Sequence, residues 1–267
     1  MSILETYDNR PRKLWVRILI FLIVLGLAVY SSNGIDLGTR VDLTAANGIL
    51  SGLTHPDTSL MFDLSMEGVP YLILQTIAIA VLGTLIGGVL ALPISFLAST
   101  NVVPKWIAYI FRAIILGIRT IPSLVWALVW IRVTGPNAFC GVVTQSICSI
   151  GMISKMYITA IEDLDTGILE ALDAAGCSTF DKVRCGILPQ LSASFISTII
   201  YRFDINLKDA TTLGIVGAGG IGASMLMAIN SRRWSMVGAF LWALIVLVLL
   251  IEFFSTKIRA RLARGER

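Results

Sequence analysis

EALDAAGCSTFDKVRCGILP, residues 170–189, is a polar island between long apolar segments, and those segments take their meaning from it. Two short helices are legible in it. Asp165 or Thr166 can cap the first, which continues on the good helix formers Leu169, Glu170, Ala171 and Leu172. Gly176 then supplies the residue that turns most easily into the left-handed region past a helix end. Ser178 with Asp181 three residues later has the form of a capping box that opens a second helix, and Pro189 is expected to close it. Helix, glycine turn and helix make a compact, water-exposed knob. An ordinary connecting loop is the plainer alternative on these residues alone.

Working outward, the chain is too apolar for a water-soluble domain. Of 267 residues 56% are hydrophobic and 14% charged, and the mean hydropathy is +0.83. A single all-α membrane domain follows. The net charge of +4 is spread over segment ends and forms no basic stripe, which argues for membrane topology and against nucleic-acid binding. Cys140, Cys148, Cys177 and Cys185 contain no CxxC pair, and His55 is the single histidine. Metal sites and His-based catalytic triads therefore lack their donors.

Six crossings are expected. Ile18–Ile35 is uncharged and follows Arg10, Arg12, Lys13 and Arg17. A signal peptide is the rival reading, but the apolar run is long and no small-x-small cleavage site stands clearly behind it, so a retained first helix is expected. Asp36–Glu67 is an acidic polar loop with Arg40 its one base, which suits the outer side. Gly68–Pro104 carries no charge and accommodates a long helix over Val69–Phe96, with Gly83, Gly87 and Gly88 near one face for close packing. The third segment, about Lys105–Ile131, should bend at Pro122 and carries Arg119 at depth. The fourth is Val133–Ser154, and the sixth, Trp234–Ile251, leads to a basic tail.

The fifth segment, Leu191–Val216, is long enough to cross yet holds Arg202, Asp204, Lys208 and Asp209. Helical spacing puts Arg202, Asn206 and Asp209 on one face and Asp204, Lys208 and Thr211 nearly opposite. Such a helix cannot face lipid. Asp204–Lys208 reads both as a mutually neutralising i,i+4 pair and as part of a substrate path. GAGGIG, 217–222, satisfies GxGxxG but lacks the surrounding βαβ unit of a dinucleotide site. A tight backbone turn lining a membrane cavity is the better reading. Of the 21 Lys and Arg residues, fourteen fall on one set of segment ends, four on the other, and Arg119, Arg202 and Lys208 within the membrane. That bias puts both termini and the 170–189 island in the cytoplasm.

The island resembles the shared cytoplasmic motif of ABC importer permeases. Glu170, Ala171 and Leu172 fill its Glu-Ala-Ala positions, Gly176 its glycine, and Leu188-Pro189 its end; Leu172 replaces an alanine, and Gly186 stands where isoleucine is usual. RTIPSLVWAL (119–128), SIGMISKMYITAIEDLD (149–165) and YRFDINLKDATTLGIVGAGGIG (201–222) look like the phosphonate-transporter permeases, over roughly Glu67 to the C-terminus. The resemblance implies the type I ABC importer permease fold (MetI-like), with a first part at 1–66, a permease core at 67–257 with coupling helices at 165–189, and a tail at 258–267. It further implies a homodimer in the bacterial inner membrane, two cytoplasmic ATP-binding subunits that carry the ATP and Mg, and an extracytoplasmic phosphonate-binding protein. This chain would then bear no cofactor and no catalysis of its own. Glu170, Ala171, Gly176, Leu188 and Pro189 are the expected ATPase contacts. Arg119, Arg202, Asp204, Lys208, Asp209, Gly217, Gly219, Gly220 and Gly222 are the candidates for the path, worked by alternating access. A permease for phosphate, methionine or another solute, and an ATP-independent transporter, are the alternatives.

Overall fold

The computed structural model describes residues 14–32 and 42–264, and among these every regular element is helical. The chain forms two compact units, Met1–Thr44 and Ala45–Arg267. In the first, α1 (Leu14–Ser32) is an apolar helix long enough to cross a bilayer. Asp36 and Arg40, read as part of an outer loop, lie outside the described residues.

The second unit contains α4 (Val69–Ala98), α5 (Lys105–Thr120), α6 (Ser123–Thr134), α7 (Ala138–Glu162), α8 (Thr166–Ala174), α9 (Thr179–Ile215), α10 (Ile221–Asn230) and α11 (Trp234–Arg264). Before them come α2 (Leu43–Thr54), which begins at the unit border, and the short α3 (Thr58–Phe62). Five of the described helices are long and apolar enough to span, and α5 with α6 makes a sixth, broken, candidate. The expected six crossings are thus matched in number by length and composition.

Four expectations are corrected. The 36–67 stretch is not all loop: it contains α2, which packs on the start of α11, with no room for a Cβ at Gly48 beneath the Trp234 indole or at Gly52 beside the Trp234 carbonyl. The third segment does change direction at Pro122, but as a break between two helices and not as a bend within one. α5 and α6 meet at 86°, with Ile121 held extended before Pro122, as the ring of a proline demands of its predecessor. The fourth segment runs on to Glu162, ending level with the island.

The last correction concerns Pro189. It does not close a helix; α9 runs through it. The turn before it, Lys182–Ile187, is π-helical, and the Leu188 amide donates five residues back to Val183. A proline ordinarily orphans the carbonyl four residues earlier and clashes with it, and the wider π turn absorbs that mismatch.

α4 and α7 form the centre of the second unit. Gly83 and Gly87, four apart, receive Gln145 and Ser149, also four apart: a Cβ added to either glycine would lie within 2.5 Å of the opposing Cβ. Below them Ala91, Ile153, Tyr157, Ile161 and Phe195 pack into one apolar cluster, with Tyr157 and Phe195 ring centroids 4.2 Å apart.

Candidate functional site

The break at Pro122 opens a cavity of about 280 Å³ walled by Arg119, Ser123, Cys148, Met152, Arg202 and Asp209. Cys148 and Met152 fall near the middle of α7, and Arg202 near the middle of the spanning part of α9. The cavity therefore lies at mid-depth of two spans. Two cations and one carboxylate leave it a surplus of one positive charge.

Arg202 is 5% exposed. Its Nε–H donates to Ser149 Oγ (3.1 Å), and Nη1 approaches Met152 Sδ (3.1 Å). Ser149 is itself fixed, since it also accepts from Asn206 Nδ2 (2.8 Å), which donates to Thr84 Oγ1 at the same distance. Gln145 Nε2 donates to the Asn206 carbonyl (2.7 Å), so α4, α7 and α9 share one buried polar network. No carboxylate pairs with Arg202 at contact distance among the described residues. Sequence spacing put Arg202, Asn206 and Asp209 on one face, and the structure brings Arg202 and Asp209 to one cavity with Arg119.

Arg119 borders a second cavity, of about 240 Å³, with Arg112, Lys155, Thr159 and Glu162. Here Arg112 and Glu162 form an ion pair. Glu162 also accepts from the Thr100 amide (2.8 Å), and Arg112 Nε donates to the Ala98 carbonyl (2.8 Å), which ties the α4–α5 connection to the end of α7. Arg119 is the residue whose side chain borders both cavities.

Asp204 and Lys208 stand apart from this cavity. Lys208 Nζ lies 3.6 Å from Asp204 and 3.3 Å from Glu252 of α11, so the pair serves as a tie between α9 and α11. The glycine run is elsewhere again, in the turn from α9 to α10. Gly217, Gly219 and Gly220 adopt φ of 95°, 80° and 73°, and Gly222 presses on the Thr211 carbonyl. The Gly220 and Ile221 amides donate to Gln75 and Thr76 side chains of α4, both at 3.0 Å. Those amides are spent within the fold.

Residues 91–267 match the family described as binding-protein-dependent transport system inner membrane component. The chain belongs to that family. It is 36% identical over 192 residues to the phosphate-import permease protein PhnE of Mycolicibacterium smegmatis, a match covering 70% of this chain and 36% of that protein. It is 30% identical over 188 residues to the phosphite transport system permease protein PtxC of Stutzerimonas stutzeri, covering 70% and 68%. Its fold matches a chain of the inward-facing MetNI methionine ABC transporter with TM-score 0.61 at 24% identity, over 71% of this chain and 94% of that one. The chain is accordingly a multi-pass membrane transport component of the type I permease fold. The family match takes in the charged cavity, the island and the glycine run, and leaves α1–α3 and most of α4 outside.

In this family member the island forms a knob. Asp165 caps α8 by accepting from the Gly167 amide (2.9 Å). At its end the Gly176 amide donates to Asp173 and the Cys177 amide to Leu172, the double bond of a Schellman turn, with Gly176 at φ 75°. Ser178 and Asp181 complete the reciprocal capping box. A Lys182–Asp173 ion pair joins the two arms. Glu170, Ala171, Gly176 and Pro189 are exposed, and Leu188 is half-buried.

Residue reasoning missed Ser149, Gln145 and Phe180. Gly141, Gln145 and Ser149 recur every four residues along α7, and that polar stripe was a readable sign of a buried network. Phe180, 70% exposed at the knob's tip, was masked by its polar neighbours.

Proposed function

We propose that the chain is the membrane-spanning permease subunit of an ATP-driven importer for phosphonates and related phosphorus oxyanions such as phosphite or phosphate. One observation carries the substrate class: a buried arginine at mid-span opens onto a cavity with surplus positive charge. At that depth a cation is costly unless it serves a partner or a passing ligand of opposite sign. The names of the relatives, phosphate and phosphite permeases, point the same way.

Two copies of the chain would enclose the path. An ATP-binding subunit would dock on each 170–189 knob, holding the ATP and Mg²⁺, and a separate binding protein would deliver the anion from the outer side. Both termini and the knob would then lie in the cytoplasm, the side that the positive charge bias favours. The division into 1–66, a core at 67–257 and a basic tail at 258–267 follows the same topology. Closure of the ATPase dimer would move the two knobs and tilt the helices attached to them, α7 and α9. The path then opens outward; hydrolysis resets it.

A growth test decides the substrate class in cells. A bacterium stripped of its own importers for phosphonate and phosphite, given this chain with its ATPase subunit and binding protein, should grow on 2-aminoethylphosphonate or phosphite as sole phosphorus source. Failure on both, with the proteins present in the membrane, would overturn the reading.

A further inference from the structure

The cavity at Pro122 contains its own anion. Asp209 lies two turns beyond Arg202 on α9, about 10 Å along the helix axis at 1.5 Å per residue, and lines the same space. Among the described residues no hydrogen bond or ion pair engages it. It attracts Arg202 only across the cavity. Arg202 meanwhile spends its contacts on a hydroxyl and a thioether, which hold the guanidinium in place without neutralising it. A pair built for stability alone would be in contact, because a buried pair recovers its desolvation cost only at close range.

Resting on the importer reading, we propose that Arg202 binds the travelling oxyanion and that Asp209 is the counter-anion that keeps this binding brief. A tetrahedral oxyanion entering the cavity takes the guanidinium N–H groups that Ser149 leaves free. The Ser123 hydroxyl and the start of α6, which no side chain caps, lie on the same wall for its other oxygens. Asp209 then repels the anion in a poorly screened space, so the site cannot become a trap. Arg119, which borders both cavities, receives the anion on its way to Arg112 and Lys155. The 280 Å³ volume leaves room for a short organic substituent beside the phosphorus group.

The test uses the complete transporter in proteoliposomes, with labelled 2-aminoethylphosphonate and phosphite as probes. Asp209→Asn should lower the maximal uptake rate and the half-saturating concentration together, and the purified complex should retain about tenfold more anion than wild type, a difference of about 1.4 kcal/mol. Adding Arg202→Gln should abolish that retention, and Asp209→Glu should restore brisk release. A purely structural Asp209 would lower yield or Tm without raising retention, and that result overturns the proposal, as does unchanged uptake in Asp209→Asn. If the amide variant fails to assemble, Asp209→Ser carries the same expectations. Absence of phosphonate and phosphite uptake by the wild-type transporter would instead sink the importer reading beneath it.

Discussion

Leu172 and Gly186 are the two positions where the island departs from its family's pattern, and the structure shows that they answer each other. A Cβ on Gly186 would lie 2.5 Å from Leu172 Cδ1. The Leu172 side chain on α8 occupies the space that a larger residue at Gly186, on the facing turn of α9, would need. The two substitutions should therefore be strongly coupled. Leu172→Ala alone removes a half-buried side chain at a cost of roughly 1–3 kcal/mol, and Gly186→Ile alone overpacks by a similar amount. The double variant should recover at least about 1 kcal/mol relative to the sum of the two. Thermal unfolding of the four purified proteins measures the cycle, and strict additivity would contradict this packing. Nothing in the sequence alone links the two residues, since they sit fourteen positions apart on different elements.

Among the elements, the knob and the broken α5–α6 pair make separate demands. Gly176 has no heavy atom within 4 Å of where a Cβ would be, so only its positive φ restricts substitution. Gly176→Ala should cost about 1 kcal/mol through left-handed strain and leave uptake largely intact. Gly176→Pro also removes the amide bonded to Asp173, and it should abolish uptake without preventing membrane insertion. Protease sensitivity of inserted protein, set beside uptake, tells the two apart; normal transport by the proline variant would count against the knob's role. On the far side, Asp57 caps α3, and its bond from the Ser59 hydroxyl holds the carboxyl below its ordinary range. Its folded pKa is depressed, so its contribution is complete above the unfolded value near 3.9 and is lost as pH falls through the folded one. Protection of the α3 amides, taken relative to the intrinsic exchange rate at each pH, should fall below about pH 4 in wild type, and Asp57→Ala should show the lower protection already at neutral pH. The caps at Asp165 and Ser178 and the Gly176 turn were legible in the sequence because they depend on residues a few positions apart, whereas the Asp57 cap was missed inside a stretch read as loop. The π turn before Pro189 was not legible, because a proline can equally end a helix or be absorbed by a wider turn, and continuation of α9 through it goes with the packing of Ile187 and Phe195 in one core with Tyr157.

At the scale of the whole molecule, hydrophobic run length sufficed to count the candidate spans. Six apolar segments were countable, and six candidate spans are present when α5 and α6 are taken as one. What run length cannot show is how polar groups inside a span are shared. Arg119, Arg202, Asp204, Lys208 and Asp209 were all candidates for the path, with helical spacing already separating Arg202 and Asp209 from Asp204 and Lys208. Packing splits them into an open cavity with Arg119, Arg202 and Asp209, and a closed tie of Asp204 and Lys208 with Glu252. That division depends on α6 turning away at Pro122 and on α11 lying alongside α9, both properties of the assembled chain. The most direct measurement is uptake into proteoliposomes carrying this chain with its ATPase subunit, ATP inside, and purified binding protein outside, comparing labelled 2-aminoethylphosphonate, phosphite, phosphate and methionine. ATP-dependent accumulation of a phosphorus oxyanion, lost in Arg202→Gln, is the expected result. Accumulation of methionine alone, or flux that needs no ATP, would contradict it.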